Sequence, residues 1–151
     1  MRLRAFRADD LETLYRIDQA CFPPGIAYPR EELSGFIGRR GSRTWVAEES
    51  DTTIGFLIAQ REPQGVAHIV TIDVLDRWRR RRVGTLLMDA AELWAREQKL
   101  FFVYLETEET NTAAQTFYET RGYRKADRVE NYYPNGKSAW VMLKWLKGKE
   151  T

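Results

Sequence analysis

The chain is short of cysteine, histidine, long apolar runs and net charge. Cys21 is its single cysteine and His68 its single histidine. No intrachain disulfide can form, as expected of a protein kept in a reducing compartment. No Cys/His spacing of a zinc site occurs, and no metal is expected. No stretch approaches the roughly 20 apolar residues that a membrane helix needs. The opening MRLRAFRADD is charged throughout and lacks the apolar core of a secretory leader. The formal charge is only +2, from 24 Lys and Arg against 22 Asp and Glu. A nucleic-acid binder spreads excess positive charge over a face, so no direct nucleic-acid partner is expected. These shortages point to a cytoplasmic protein that does not use a membrane; a monomer or weak dimer is expected, though composition does not decide between them.

What remains is an ordinary globular balance, with 43% hydrophobic and 30% charged residues over 151 positions. That length fits a single domain over residues 1–151. Arg2 to Phe6 alternates like a half-buried strand, and Asp9 and Asp10 then supply helix-start chemistry. Cys21 to Pro29 holds three of the five prolines and reads as a loop. A second short helix over REELSGFIGRR and two strands turning at Ser50 and Asp51 follow. Val66 to Leu75 is expected as a strand, with Ile69, Thr71 and Asp73 on one face and Val70, Ile72 and Val74 on the other. Val83, Leu86, Leu87, Ala90 and Trp94 mark an amphipathic helix. The run LFFVYLET reads as a buried central strand. Asn111 can cap a further helix that stops at Gly122. Two last strands are expected, roughly Tyr123 to Tyr132 and Ser138 to Leu146, joined by a hairpin at Asn135-Gly136. The predicted order is βααβββαβαββ, an α/β (α+β) fold whose mixed, mostly antiparallel sheet is flanked by helices.

Five of the six residues from Arg77 to Arg82 are arginines, and a helix begins directly after them. The first N–H groups of a helix have no partner inside it and carry a partial positive charge. Arginine adds bidentate charge-assisted bonds, so a diphosphate suits this corner. The local sequence alone also allows a solvated charged corner or a nucleic-acid phosphate contact.

The wider pattern resembles the GNAT superfamily of N-acetyltransferases. DVLDRWRRRRVGTLLMDAA is similar to that family's acyl-CoA motif, with Val74, Arg79, Val83 and Gly84 in place and Arg82 where the family has a glycine. NTAAQTFYETRGY resembles its second landmark at Asn111, Ala114, Phe117, Tyr118, Gly122 and Tyr123. The tail VENYYPNGKSAWVM looks like the branch of RimI-type ribosomal-protein-alanine and related protein N-terminal acetyltransferases.

The resemblance implies acetyl transfer from acetyl-CoA to a primary amine, most closely the N-terminal α-amine of a protein such as a ribosomal protein. It puts acetyl-CoA against Ile72, Asp73 and Val74, then Arg79, Arg80, Arg81, Arg82, Val83, Gly84 and Thr85, and finally Asn111 and Tyr118. It maps the general base to Glu106, acting directly or through water, and the general acid to Tyr118. A carboxylate in an apolar setting suits proton acceptance. The pKa values of a tyrosine, near 10, and of a thiol, near 8.5, are expected to favour donation to the CoA thiolate. The Val74 N–H is the implied oxyanion donor, between strands that the family splays apart. Phe22, Pro23, Tyr28, Tyr132 and Tyr133 resemble the branch's peptide-groove residues. Cys21 and His68 have no visible activating partner and read as structural. Two other readings stay open: the same fold acting on a lysine or small amine, and a non-catalytic acyl-CoA-binding module.

Overall fold

The computed structural model describes residues 1–146. Residues 147–151, the end of the expected domain span, lie outside the described residues. β1 (Arg2–Ala5) leads through a 3-10 turn into α1 (Leu11–Cys21) and α2 (Arg30–Gly38). β2 (Ser42–Glu49), β3 (Thr52–Glu62) and β4 (Val66–Val74) form a meander. α3 (Val83–Glu97), β5 (Phe102–Glu108) and α4 (Thr112–Thr120) follow. β6 (Arg124–Val129) and β7 (Ala139–Trp145) complete the expected order.

The sheet runs β1-β2-β3-β4-β5-β7-β6, and only the β4–β5 pair is parallel. On one face α3 supplies Val83, Leu87, Met88, Ala91, Trp94 and Ala95 to a core with Leu57, Val103 and Leu105. On the other, Leu14 and Ile17 of α1 and Leu33 of α2 meet Val46, Phe56, Ile58 and Val70. Each buried Leu or Ile of this kind contributes about 1.5–3 kcal/mol. Asp10 secures the entry to α1: its carboxylate accepts the Arg7 N–H at 2.7 Å and both Arg4 guanidinium donors at 2.8 Å. Those bonds to Arg4 hold its carboxyl below the usual range.

Four local expectations change. In β4 the register slips opposite Ile58 and Ala59, and a bulge at Val70 inverts the alternation. Ile69 therefore joins Ile72 and Val74 on the α3 side, while Val70 packs against α1. β5 buries one face only: Val103, Leu105 and Thr107 point into the core, whereas Phe102, Tyr104 and Glu106 stay half-buried. The buried stripe of α3 is displaced as well, since Leu86 and Ala90 are half-buried and Met88, Ala91 and Ala95 are inside. Finally, Asn135-Gly136 does not make a two-residue hairpin. β6 ends at Val129, and Glu130 to Ser138 form a long loop with a turn at its tip, closed by the Gly136 N–H on the Tyr133 carbonyl.

Candidate active site

The β4–β5 pairing places the site. The two strands pair only at Ala67 with Val103 and at His68 with Tyr104. Beyond those residues each strand bonds only its outer neighbour, β3 or β7, and the pair opens like a V. The opening leads into a cavity of ≈ 950 Å³. Leu75 donates its N–H to Ile54 of β3, so antiparallel alternation turns the Val74 N–H away from β3 and toward the opening. Gly55 opposite Val74 allows the strands to come this close, since a Cβ there would sit 2.5 Å from the Asp73 carbonyl oxygen.

The arginine loop closes one end of the cavity. Leu86 is the residue whose N–H first reaches back in α3, to the Arg82 carbonyl, so Val83, Gly84 and Thr85 begin the helix with N–H groups it does not use. Arg82 caps this helix in the left-handed conformation, at φ 67°. That is the geometry a glycine takes without strain and an arginine only at a cost. Gly84 lies close under Phe117: a Cβ there would lie 3.3 Å from Phe117 Cζ, a tight contact that the ring would have to yield to. Arg79, Arg80, Arg82, Gly84 and Thr85 line the cavity with Ile72, Val74, Asn111 and Tyr118. Arg81 does not; its guanidinium lies over the Trp78 ring, 5.2 Å from the centroid. Val83 is in the core, and the Asp73 side chain turns to the α1 side. A splayed strand edge, a helix N-terminus and three arginines on one cavity fit a pantetheine diphosphate.

Asn111 accepts the Ala114 N–H at 3.1 Å and so caps α4, which carries Tyr118 to the cavity wall. Tyr118 packs edge-on against Phe117 and Tyr123. Burial, with a smaller contribution from Asp73, pushes its hydroxyl up. The expected downhill proton donation is corrected here. A phenol is a weaker acid than a thiol to begin with, and this one is weaker still. Tyr118 can give a leaving sulfur a hydrogen bond more readily than a proton.

Glu106 faces the cavity from β5. It does not stand alone, as a histidine read as structural reaches it: His68 Nε2 lies 2.7 Å from Glu106 Oε1. The imidazole stacks on Tyr104 at 4.5 Å, and the Tyr104 hydroxyl donates to Glu62 at 2.6 Å. Burial and that bond push the Tyr104 hydroxyl up. On the acceptor side, burial and the Glu106 carboxylate push the Tyr132 hydroxyl up to about 12. Glu106 is therefore a carboxylate on a cavity wall with a titratable partner behind it, an arrangement able to take and pass on a proton.

Phe22, Pro23, Tyr28, Tyr132 and Tyr133 all line the same cavity, with Ile26. The long β6–β7 loop crosses to the first loop, where Asn135 Nδ2 donates to the Pro24 carbonyl at 3.4 Å. Gly25 is required beneath it, since a Cβ there would lie 2.6 Å from Asn135 Cβ. Cys21 also borders the cavity, but its thiol donates to the Val74 carbonyl and burial pushes it up to about 12. That supports the structural reading of this residue. Among the described residues no group of three His, Cys, Asp or Glu could hold a metal ion, and no helix is long and apolar enough to cross a membrane.

Residues 11–123 match the acetyltransferase (GNAT) family. An N-alpha-acetyltransferase of Saccharolobus solfataricus is 26% identical over 95% of this chain and 92% of its own length. The N-terminal acetyltransferase A complex catalytic subunit NAA10 of Arabidopsis thaliana is 31% identical over 98% of this chain and 79% of its own. The crystal structure of the ribosomal-protein-S18-alanine N-acetyltransferase from Escherichia coli superposes with a TM-score of 0.86 over 99% of this chain and 97% of that chain. At 21% identity that likeness speaks for the fold.

Proposed function

This chain belongs to the acetyltransferase (GNAT) family and is an acyl-CoA-dependent acetyltransferase, and we propose that its acceptor is the N-terminal α-amine of a protein. The observation that carries this reading is the meeting of two grooves at Glu106. The basic, splayed-strand end of the cavity suits acetyl-CoA. The aromatic end, between Tyr28 and the Tyr132–Tyr133 pair, suits an extended peptide. Relatives named as N-alpha-acetyltransferases over nearly the whole chain support the same acceptor.

The steps then follow from the residues. An α-amine has a pKa near 8, so roughly a fifth is neutral at pH 7.4, against about a thousandth of a lysine amine. The neutral nitrogen attacks the thioester carbonyl, whose oxygen takes the Val74 N–H. The proton lost as the N–C bond forms passes to the Glu106 carboxylate, directly or through water, with His68 behind it. The C–S bond breaks and the thiolate departs toward the Tyr118 hydroxyl, which donates a hydrogen bond. Its proton comes from solvent, since a thiol pKa near 8.5 favours the protonated form at neutral pH. The diphosphate lies at the start of α3 with Arg79, Arg80 and Arg82. A ribosomal protein is one acceptor of this class.

Thiol release from acetyl-CoA tests the reading, with peptides beginning with Ala, Ser and Met, an N-terminally blocked lysine peptide, and spermidine. Turnover is expected on the free N-terminal peptides alone. Turnover confined to lysine or spermidine would sink the acceptor assignment. Acetyl-CoA binding with no turnover on any acceptor would count for a non-catalytic module.

A further inference from the structure

Two carboxyl groups lie beneath the acceptor loop with no cation matched to them. Asp18, in the last turns of α1, is 0% exposed, and Asp73, next to last in β4, is 1% exposed. Asp18 Oδ2 accepts the Tyr28 N–H at 2.7 Å, and Asp73 Oδ1 accepts the Thr71 hydroxyl at 2.5 Å. Their remaining oxygens, Asp18 Oδ1 and Asp73 Oδ2, are buried and meet no donor among the described residues. Asp18 is the neighbouring group that acts most strongly on the Asp73 carboxyl. Two ionised acceptors facing each other in the interior repel, and neither gains a donor. A single proton between them serves both orphaned oxygens.

We propose that Asp18 and Asp73 share one proton, and that this carboxyl pair is the clasp that seats Tyr28, a wall of the acceptor groove, against the strand that receives acetyl-CoA. The clasp rests on the acceptor reading above. It joins three segments: Tyr28 in the first loop, Asp18 at the end of α1, and Asp73 with Thr71 on β4. Two weaker contacts tie the same elements together. The Tyr28 hydroxyl donates to the Val70 carbonyl at 3.4 Å, and Cys21 Sγ to the Val74 carbonyl at 3.4 Å.

The groups around the pair leave the second charge uncompensated. Cys21 on α1, Tyr28 in the loop and Tyr118 on α4 are all uncharged, their own protons held by burial. Arg79 is the cation that faces Asp73. Its guanidinium is about half exposed and already held by the Val74 carbonyl and Asp76. Burial, then the bond to Asp18, hold the Asp73 carboxyl well above the usual range.

The sign of the pH effect follows. Asp73 keeps a proton in the folded chain that it loses, when unfolded, above about pH 4. The folded state then binds more protons, so this group's contribution to stability falls as pH rises from there to the folded pKa. An asparagine at position 73 donates to Asp18 without a titrating proton. The experiment compares wild type, Asp73→Asn and Asp73→Ala by thermal unfolding from pH 5 to 8, and by kinetics at pH 7. The Tm of Asp73→Asn is expected to gain several degrees on wild type across that range. In Asp73→Ala the KM for an N-terminal peptide is expected to rise at least fivefold, and by more than the KM for acetyl-CoA. Asp73→Asn restores the peptide KM to within twofold of wild type.

A Tm difference that stays constant with pH overturns the shared proton. Equal peptide KM values in Asp73→Ala and wild type, or no rescue by Asp73→Asn, overturn the clasp. If no peptide is acetylated, the clasp falls with the acceptor reading, while the Tm comparison still decides the proton. If Asp73→Ala does not fold, Asp73→Asn in the pH series still decides it.

Discussion

Glu92 and Glu106 are both withdrawn from solvent, and they are matched in opposite ways. Glu92, on α3, accepts from Lys144 Nζ at 2.8 Å and from the Tyr123 hydroxyl at 2.9 Å, and Arg121 lies 3.2 Å away. Two permanent cations and a phenol use up both its oxygens, and the cluster joins α3 to β7 and to the end of α4. Glu106 has a histidine as its partner and the cavity in front of it. A buried carboxylate between fixed cations is a support, because removing it strands the Lys144 ammonium and leaves Arg121 with Asp89 alone. A carboxylate backed by an imidazole and open to a cavity is instead placed to meet a reacting group.

Breaking each glutamate in turn gives the largest effects. Glu106→Gln is expected to lower kcat/KM by roughly 100- to 10,000-fold, the range of a lost general base, with Tm nearly unchanged. Glu92→Ala is expected to cost roughly 3 kcal/mol of stability, as a broken buried pair does. Its kcat/KM should stay within a few-fold of wild type at a temperature where it is folded. Steady-state kinetics and thermal melts on both proteins check this. A Glu106→Gln enzyme of full activity would remove the base, and a Glu92→Ala protein of unchanged Tm would remove the contrast.

The Glu106 side of this contrast could be read in the sequence, though unevenly, and the Glu92 cluster could not. The element order, the basic loop before α3, the Asn111 cap and the place of Glu106 at the end of an apolar strand all follow from local pattern. Local pattern carries these because each is decided by neighbours within a few turns or one strand. The partner of Glu106 could not be found in that way. His68 lies 38 positions earlier. It meets Glu106 only because β4 and β5 pair in parallel with His68 beside Tyr104, and Glu106 is two residues further on the same face of β5. The bulge at Val70 was hidden for a related reason, since a strict alternation of side chains gives no sign of an extra residue in the ladder. The Asp18–Asp73 contact depends on that same bulge, which turns Asp73 toward α1 and away from the cavity.

The His68–Glu106 half of the comparison can be sharpened with a substitution that keeps the stack. Phenylalanine at position 68 can still lie on Tyr104, but it offers no nitrogen to Glu106. His68→Phe is expected to lower kcat about tenfold, a smaller loss than Glu106→Gln, because the carboxylate can still take the proton and pass it to water. Steady-state kcat at saturating peptide and acetyl-CoA measures it. A loss as large as that of Glu106→Gln would make the pair a single unit, with the imidazole as necessary as the carboxylate.

The smallest expected effect concerns the arginine loop, where charge and backbone geometry are combined in one residue. Arg82 sits at φ 67° as the cap of α3 and lines the cavity. A left-handed non-glycine residue costs about 1–2 kcal/mol. Glycine relieves that but loses roughly 0.5–1 kcal/mol through its freer unfolded chain. Arg82→Gly should therefore gain between nothing and about 1.5 kcal/mol of stability, by the difference of those terms. It also removes one guanidinium from the diphosphate end, while Arg79 and Arg80 remain. The KM for acetyl-CoA is expected to rise about threefold at low salt, and less at high salt as screening weakens the lost contact. The peptide KM is expected to move less than the KM for acetyl-CoA. An unchanged acetyl-CoA KM at every salt concentration would mean that Arg82 serves the turn alone, and that the free N–H groups of α3 with Arg79 and Arg80 hold the diphosphate without it.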